Sequence, residues 1–236
     1  MKKIISVYIL SFFISSCVQN PTKEAINFLK SEVNPVSVGN IVTESDSPNV
    51  FEEFDCPPEG NAKPERVRKL NTFKNRVNFP ESGDFNTKIT LAEILKSGQD
   101  ENRWRNSQAA RIIGYVYDIK PGGIETTNCK SKDKSYRDTH IELVLNPMSA
   151  TKKDVMVVEV TPRIRSIMKS RGEDWSTSML RSKFLGRWVE IEGWMLFDHE
   201  HDNMAENTNP GNARNWRGTA WEIHPITSIK ITSKPR

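Results

Sequence analysis

Three strand-like runs, a helical stretch and two more strand-like runs follow one another between residues 109 and 232. That order restricts the fold more than any other feature of the chain. Residues 109–120 alternate Ile113, Tyr115 and Tyr117 against Ile112, Val116 and Ile119, with Gly114 marking a bulge or bend. Pro121-Gly122-Gly123 ends the run. Residues 138–146 set Ile141, Leu143 and Leu145 against Asp138, His140, Glu142 and Val144, and residues 154–161 make a third strand. Residues 163–183 have helical spacing, first through Ile164, Ile167 and Met168 and then through Met179 and Leu180, with Gly172 and Trp175 dividing them. Residues 185–198 and 218–232 are strands four and five. The expectation is a mainly β domain, a five-stranded OB-fold-like barrel with a helix between strands three and four. Gly114 and Gly193 suit the coiling of so small a barrel. The competing architecture is a plain antiparallel sheet with a helix on one face.

Short helices precede the barrel. Val67, Leu70 and Phe73 share a helical face, and Pro57, Pro58 and Pro64 keep the approach to it irregular. Arg66, Arg68, Lys69, Lys74 and Arg76 read as a solvated basic face, a nucleic-acid patch being the sharper and weaker reading. Thr90, with Glu93 three residues on, is an N-cap for a turn over residues 91–96.

The N-terminus is organised for export. Met1-Lys2-Lys3 is basic, residues 4–13 are apolar, and Ile14-Ser15-Ser16-Cys17 follows at once. The apolar run is too short for a permanent span. It resembles the signal peptide and cleavage box of bacterial lipoproteins. The resemblance implies a signal peptide over residues 1–17 ending at a lipidated Cys17, and a chain held by its lipid, palmitate included, to a membrane of the bacterial cell envelope. The domain then lies outside the cytoplasm. Residues 18–49, interrupted by Pro21, Pro35, Gly39 and Pro48, form a tether, and residues 50–236 the folded domain. The formal charge of +4 drops to +2 once Lys2 and Lys3 are removed, which argues only weakly for nucleic acid. With Cys17 lipidated, Cys56 and Cys129 remain as a pair in an oxidising space, and a disulfide between them is the favoured reading.

Polar chemistry concentrates in the strands. Each of the four histidines has an acid nearby: His140 with Asp138 and Glu142, His199 with Asp198 and Glu200, His201 with Asp202, His224 with Glu222. If the polar faces of strands two and five meet at one end of the barrel, His140, Asp198, His201, Glu222 and His224 converge. Imidazole and carboxylate suit zinc with one position open, so His140, His201 and His224 are candidate ligands of a divalent metal. The same histidines with Glu222 also suit acid–base catalysis without a metal. The bland alternative, that each histidine is satisfied by its own acid, carries more weight because no HExxH-like spacing is present. Trp194 and Trp216 with Arg217 are candidates for a stacking platform, against a reading in which the aromatics pack the core. Arg163, at the corner between strand three and the helix, would hold an anion or pair with Glu159.

The phrases CPPEGNAK, LNTFKNR, GYVYDIKPGGIETTNC, DTHIELVL, VVEVTPRIR, GWMLFDHEH and WEIHPITSI resemble an uncharacterised family of bacterial extracytoplasmic proteins. The likeness spans residues 56–231. It points to Asp138, His140, Glu159, Arg163, Asp198, His201, Glu222 and His224, and it implies no reaction. Similar sequences carry a second cysteine in the segment that reads Glu125-Thr126-Thr127-Asn128-Cys129 here; threonine in its place argues against a three-thiolate metal site. Two functions follow as expectations, with a purely structural envelope protein as a third. The first is a membrane-anchored binding module for a polymer such as nucleic acid or glycan, or for a protein partner. The second is a hydrolase, metal-dependent or acid–base, using the His/Asp/Glu cluster.

Overall fold

The computed structural model describes residues 55–235, so the expected signal peptide, Cys17 and the tether lie outside the described residues. Five strands close into a barrel in the order β1-β2-β3-β5-β4. They are β1 (Ala109–Pro121), β2 (Thr139–Val144), β3 (Met156–Val160), β4 (Trp188–Phe197) and β5 (Trp221–Ile231). All neighbours pair antiparallel except β3 and β5, which run parallel and close the ring. This is the OB-like barrel, and the closed ring excludes the open sheet.

Alternation decides what goes inside. Ile112, Val116, Ile119, Ile141, Leu143, Val158, Val160, Ile191, Ile223 and Ile226 form one buried core. The inward pattern of β1 survives its length because the register shifts between Val116 and Asp118, leaving Tyr117 outside and returning Ile119 to the core. The irregularity therefore falls at Tyr117 and not at Gly114. Gly114 is needed for a different reason: a Cβ there would stand 2.7 Å from Leu91 Cδ2 and 3.2 Å from Leu143 Cβ. On β4 the register shifts on both sides of Gly193, as expected for a coiled strand. Leu145, expected to point inward with Ile141 and Leu143, lies beyond β2 and is 42% exposed.

Among the described residues, four α-helices dress the barrel: α1 (Glu65–Lys74), α2 (Leu91–Leu95), α3 (Pro162–Ser170) and α4 (Thr177–Phe184). Thr90 caps α2 by accepting from the Glu93 amide, and the helix sends Leu91 and Ile94 into the core. Between β3 and β4 the helical stretch is two helices, with Thr161 and Ser176 as their N-caps. Gly172, at φ +84°, ends the first, and Trp175 is buried between them. Helix α1 departs from expectation. Its buried face is Val67, Leu70, Asn71 and Lys74, at 3.6-residue spacing, and Phe73 is only half-buried. Lys74, read as part of a solvated basic face, points into the protein because two carboxylates wait for it there. The expected disulfide between Cys56 and Cys129 is present, with the Cα atoms 5.7 Å apart, and ties the segment before α1 to the β1–β2 loop.

Candidate functional site on the outer wall of the barrel

The residues of β2, β3 and β5 that do not enter the core make a polar outer wall. The register sets His140 of β2 against Glu159 of β3, and Val157 of β3 against Glu222 of β5. His224, two residues beyond Glu222, completes a row with Glu159 and His140. The polar groups thus meet on the side of the barrel, not at its end. This side, with the β1–β2 and β4–β5 loops, is where OB barrels bind their ligands.

Three segments roof the wall. Helix α1 contributes Lys74, the β1–β2 loop contributes Glu125 and Asn128, and the β4–β5 loop contributes Asp198, His201, Trp216 and Arg217. Side-chain amides knit the first two together: Asn71 donates to the Glu59 carbonyl and Thr126 Oγ1, and Asn75 donates to the Pro58 and Thr127 carbonyls. The third is pinned by Asp100, fully buried, which accepts from Thr219 Oγ1, the Ala220 amide and Asn207. The Asp100 carbonyl also accepts from the indole of Trp221 at 2.9 Å.

Beneath this roof the polar groups are almost dry. Lys74 Nζ donates to Asp198 Oδ2 at 3.2 Å and to Glu125 Oε2 at 3.1 Å. His201 Nδ1 donates to the same Asp198 oxygen at 2.7 Å. Arg217, 1% exposed, donates to Glu222 Oε1 at 2.8 Å. The other oxygen of Glu222 accepts from His224 Nδ1 at 3.1 Å. Glu159 lies between two imidazoles, with Oε1 3.6 Å from His140 Nδ1 and Oε2 3.4 Å from His224 Nδ1. Asp138 Oδ2 stands 3.8 Å from His224 Nε2, beyond hydrogen-bond reach. Asp138 Oδ1, His140 Nε2 and His224 Nε2 are buried without a hydrogen-bond partner.

The electrostatics follow from burial in competition with neighbours. Burial, reinforced by Glu222 and Asp138, pushes the Glu159 carboxyl well above the usual carboxylate range. Burial also raises Asp138, against the pull of His224. Burial would raise Asp198 too, but Lys74 and the His201 hydrogen bond overcome it and hold that carboxyl well below its ordinary value. Glu222 goes the same way: burial would raise it, and Arg217, the His224 hydrogen bond and Lys74 together bring it down to about 2. Burial would lower Lys74, and Asp198 with Glu125 reverses the direction. His140 is lowered to about 4 by burial, so its imidazole is neutral at neutral pH.

The residues expected to matter divide into three groups. Asp138, His140, Glu159, Glu222 and His224 share the wall, and Asp198 with His201 joins them through Lys74. Trp216, half-exposed, forms the rim, its ring 5.5 Å from that of His140 and 6.5 Å from that of His201. The remaining three do other work. Trp194, expected as part of a stacking platform, is 6% exposed; its indole donates to the Asn78 carbonyl and Arg76 covers its ring at 4.9 Å, so it offers no face. Arg217 is buried and donates to Glu222, while its guanidinium also stands 5.5 Å from the centroid of the Trp216 ring, as expected of that pair. Arg163 does not reach for Glu159 and donates to the Cys56 carbonyl instead. Sequence reasoning missed Lys74, Glu125 and Asn128. Their only signal was the Glu125–Cys129 segment itself, whose cysteine is crosslinked toward α1. Among the described residues, Asp138, Glu159 and His224 each place a ligand atom within 4.8 Å of the others, and neither His140 nor His201 belongs to that group. No family model, curated protein or solved structure matches the chain.

Proposed function

We propose that the chain is a lipid-anchored, extracytoplasmic binding module that engages a glycan of the cell envelope along the rim of the β2–β3–β5 wall. The observation that carries this reading is the meeting of the β1–β2 and β4–β5 loops over that wall, with the half-exposed Trp216 set between His140 and His201. An aromatic face bordered by imidazole and carboxylate is sugar-binding chemistry: the ring covers the apolar face of a pyranose and the polar groups take its hydroxyls. A nucleic acid is disfavoured by charge. Five carboxylates (Glu125, Asp138, Glu159, Asp198 and Glu222) stand in the wall or its roof, and Lys74 and Arg217 are already paired with three of them. The test is a tryptophan-fluorescence titration of the full chain and of Trp216→Phe with soluble cell-wall glycan fragments and with single-stranded DNA. Quenching by glycan that the variant loses supports the reading; silence with every glycan, or equal quenching in both chains, sinks it.

One observation favours a second reading, hydrolysis: His140, whose ring lies 5.5 Å from that of Trp216, keeps a buried Nε2 with no hydrogen-bond partner, an open acceptor for a proton. Turnover of a glycoside or ester that disappears in His140→Gln while the fold persists would establish it, and inactivity of the native chain would remove it.

A further inference from the structure

Below the rim lies a set of groups that the glycan reading leaves unused. We propose that Asp138, Glu159 and His224 form a binding site for one divalent transition-metal ion of the zinc type, enclosed between the outer wall of the barrel and its roof. This inference goes beyond the rim reading and does not depend on it.

The donors come from three neighbouring chain segments. Asp138 immediately precedes β2, Glu159 is on β3 and His224 is on β5, so the closed sheet holds them side by side with little freedom. Their ligand atoms lie within 4.8 Å of one another, and the side chains are 4%, 7% and 0% exposed. A cluster of buried acids alone would say little, since acids often stabilise a fold through hydrogen bonds. Here two atoms of the cluster make none. Asp138 Oδ1 and His224 Nε2 are buried and unpartnered, and leaving such groups unmatched is destabilising. Between His224 Nε2 and Asp138 Oδ2 the gap is 3.8 Å. That is too wide for a hydrogen bond. Zinc bonds nitrogen and carboxylate oxygen at about 2.0–2.2 Å each, so an ion touches both across such a gap.

The surroundings are built as a metal's surroundings are. Glu222 Oε2 accepts from His224 Nδ1 at 3.1 Å, which fixes the tautomer that leaves the Nε2 lone pair free. This carboxylate–histidine arrangement is the usual support of a ligating imidazole. Charge points the same way. Of the five carboxylates gathered here, Lys74 serves Asp198 and Glu125, and Arg217 serves Glu222. Among the described residues, the ion-pair contacts of Asp138 and Glu159 are with imidazoles and not with lysine or arginine. The donor set selects the class of ion: calcium and magnesium take six or more oxygens, whereas one imidazole with two carboxylates suits zinc or its first-row neighbours.

The experiment uses the full chain with its disulfide intact, stripped with a chelator and titrated with Zn²⁺ by calorimetry, with elemental analysis of the product. Expected is one equivalent bound at micromolar affinity or tighter, at least ten-fold weaker in Asp138→Asn and in Glu159→Gln, and unchanged in Asp202→Asn. Glu222→Gln, acting through His224, is expected to weaken binding by about 10-fold. Should the variants fold poorly, Co²⁺ titration of the native chain reads the same site: visible absorption saturating at one equivalent and abolished by Zn²⁺ supports it. No bound metal and no heat overturns the proposal, and so does binding that survives Asp138→Asn and Glu159→Gln undiminished. The metal-free native chain titrated with glycan reads the rim separately, so failure of either reading is told from failure of the other.

Discussion

Lys74 Nζ lies 3.2 Å from Asp198 Oδ2, and both side chains are all but excluded from water, at 3% and 1% exposure. The pair connects α1 to the end of β4 and so fastens the roof to the barrel. Removing one partner of a buried ion pair leaves the other charge unmatched, at about 3–5 kcal/mol. Lys74→Met is therefore expected to lower stability by that amount in denaturant unfolding. Lys74→Met combined with Asp198→Asn should recover part of the loss, because the second change removes the stranded charge. Full additivity of the two losses would show that the pair does not act as a unit.

The same carboxylate makes stability depend on pH in two directions. Its hydrogen bond raises His201 above the ordinary imidazole value, against burial and the nearby Lys74, with Glu125 adding to the rise. A raised imidazole stabilises fully below its unfolded value, near 6.5, and that contribution is lost as pH climbs through the higher folded value. Asp198, held low by Lys74 and His201 despite its burial, behaves oppositely: its contribution is present above about 3.9 and fades as pH falls through the lower folded value. Thermal melts from pH 5 to pH 9 are expected to show the native chain losing stability above neutrality, and His201→Gln a flatter profile over that interval. Parallel profiles would contradict the assignment.

The barrel was legible because each strand carries its alternation locally. Ile141 and Leu143 against His140 and Glu142 announce a two-sided strand whatever surrounds it. The polar wall was legible on the same ground. What roofs it was not. Lys74 sits in a basic run whose members look alike in sequence, and only the fold supplies Asp198, 124 positions away, to draw that one inward. Glu125 and Asn128 lie in a loop with no period to read. Trp194 and Trp216 are equivalent as residue types, yet Trp194 faces Asn78 and Arg76 while Trp216 faces the rim. Burial of an aromatic depends on what packs over it, and a single strand does not encode that.

The disulfide ties the approach to α1 to the loop that carries Glu125 and Asn128, enclosing 73 residues of sequence separation. In the chain-entropy account a crosslink of that span stabilises by about 4 kcal/mol. Cys56→Ser with Cys129→Ser is expected to shift the urea midpoint accordingly. The roof should respond more than the barrel, since only Asn71, Asn75 and the Lys74–Glu125 pair then hold α1 to the loop. Hydrogen exchange is the discriminating measurement: amides of β1 to β5 should exchange as slowly relative to global unfolding as before, while those of residues 56–76 and 125–130 quicken. Uniform acceleration throughout would mean that roof and barrel unfold as one.

The last prediction concerns the coil of β4. A Cβ built on Gly193 would stand 2.3 Å from the Pro225 carbonyl oxygen and 2.5 Å from Ile223 Cγ2. The first of these is backbone, so no side-chain rotation relieves it. The clash must be absorbed by moving β4 away from β5, at the place where the register already shifts. Forced overpacking of this kind costs about 1–3 kcal/mol, and more where backbone must yield. Gly193→Ala is thus expected to be destabilised by at least that much. Gly83→Ala, where an added Cβ meets nothing within 4 Å, should be neutral or slightly stabilised. Because Ile223 lies between Glu222 and His224 on β5, displacement at Gly193 should also reach the wall. Zn²⁺ affinity of Gly193→Ala, measured on the fraction that remains folded, is expected to fall with stability, whereas in Gly83→Ala it should match the native chain.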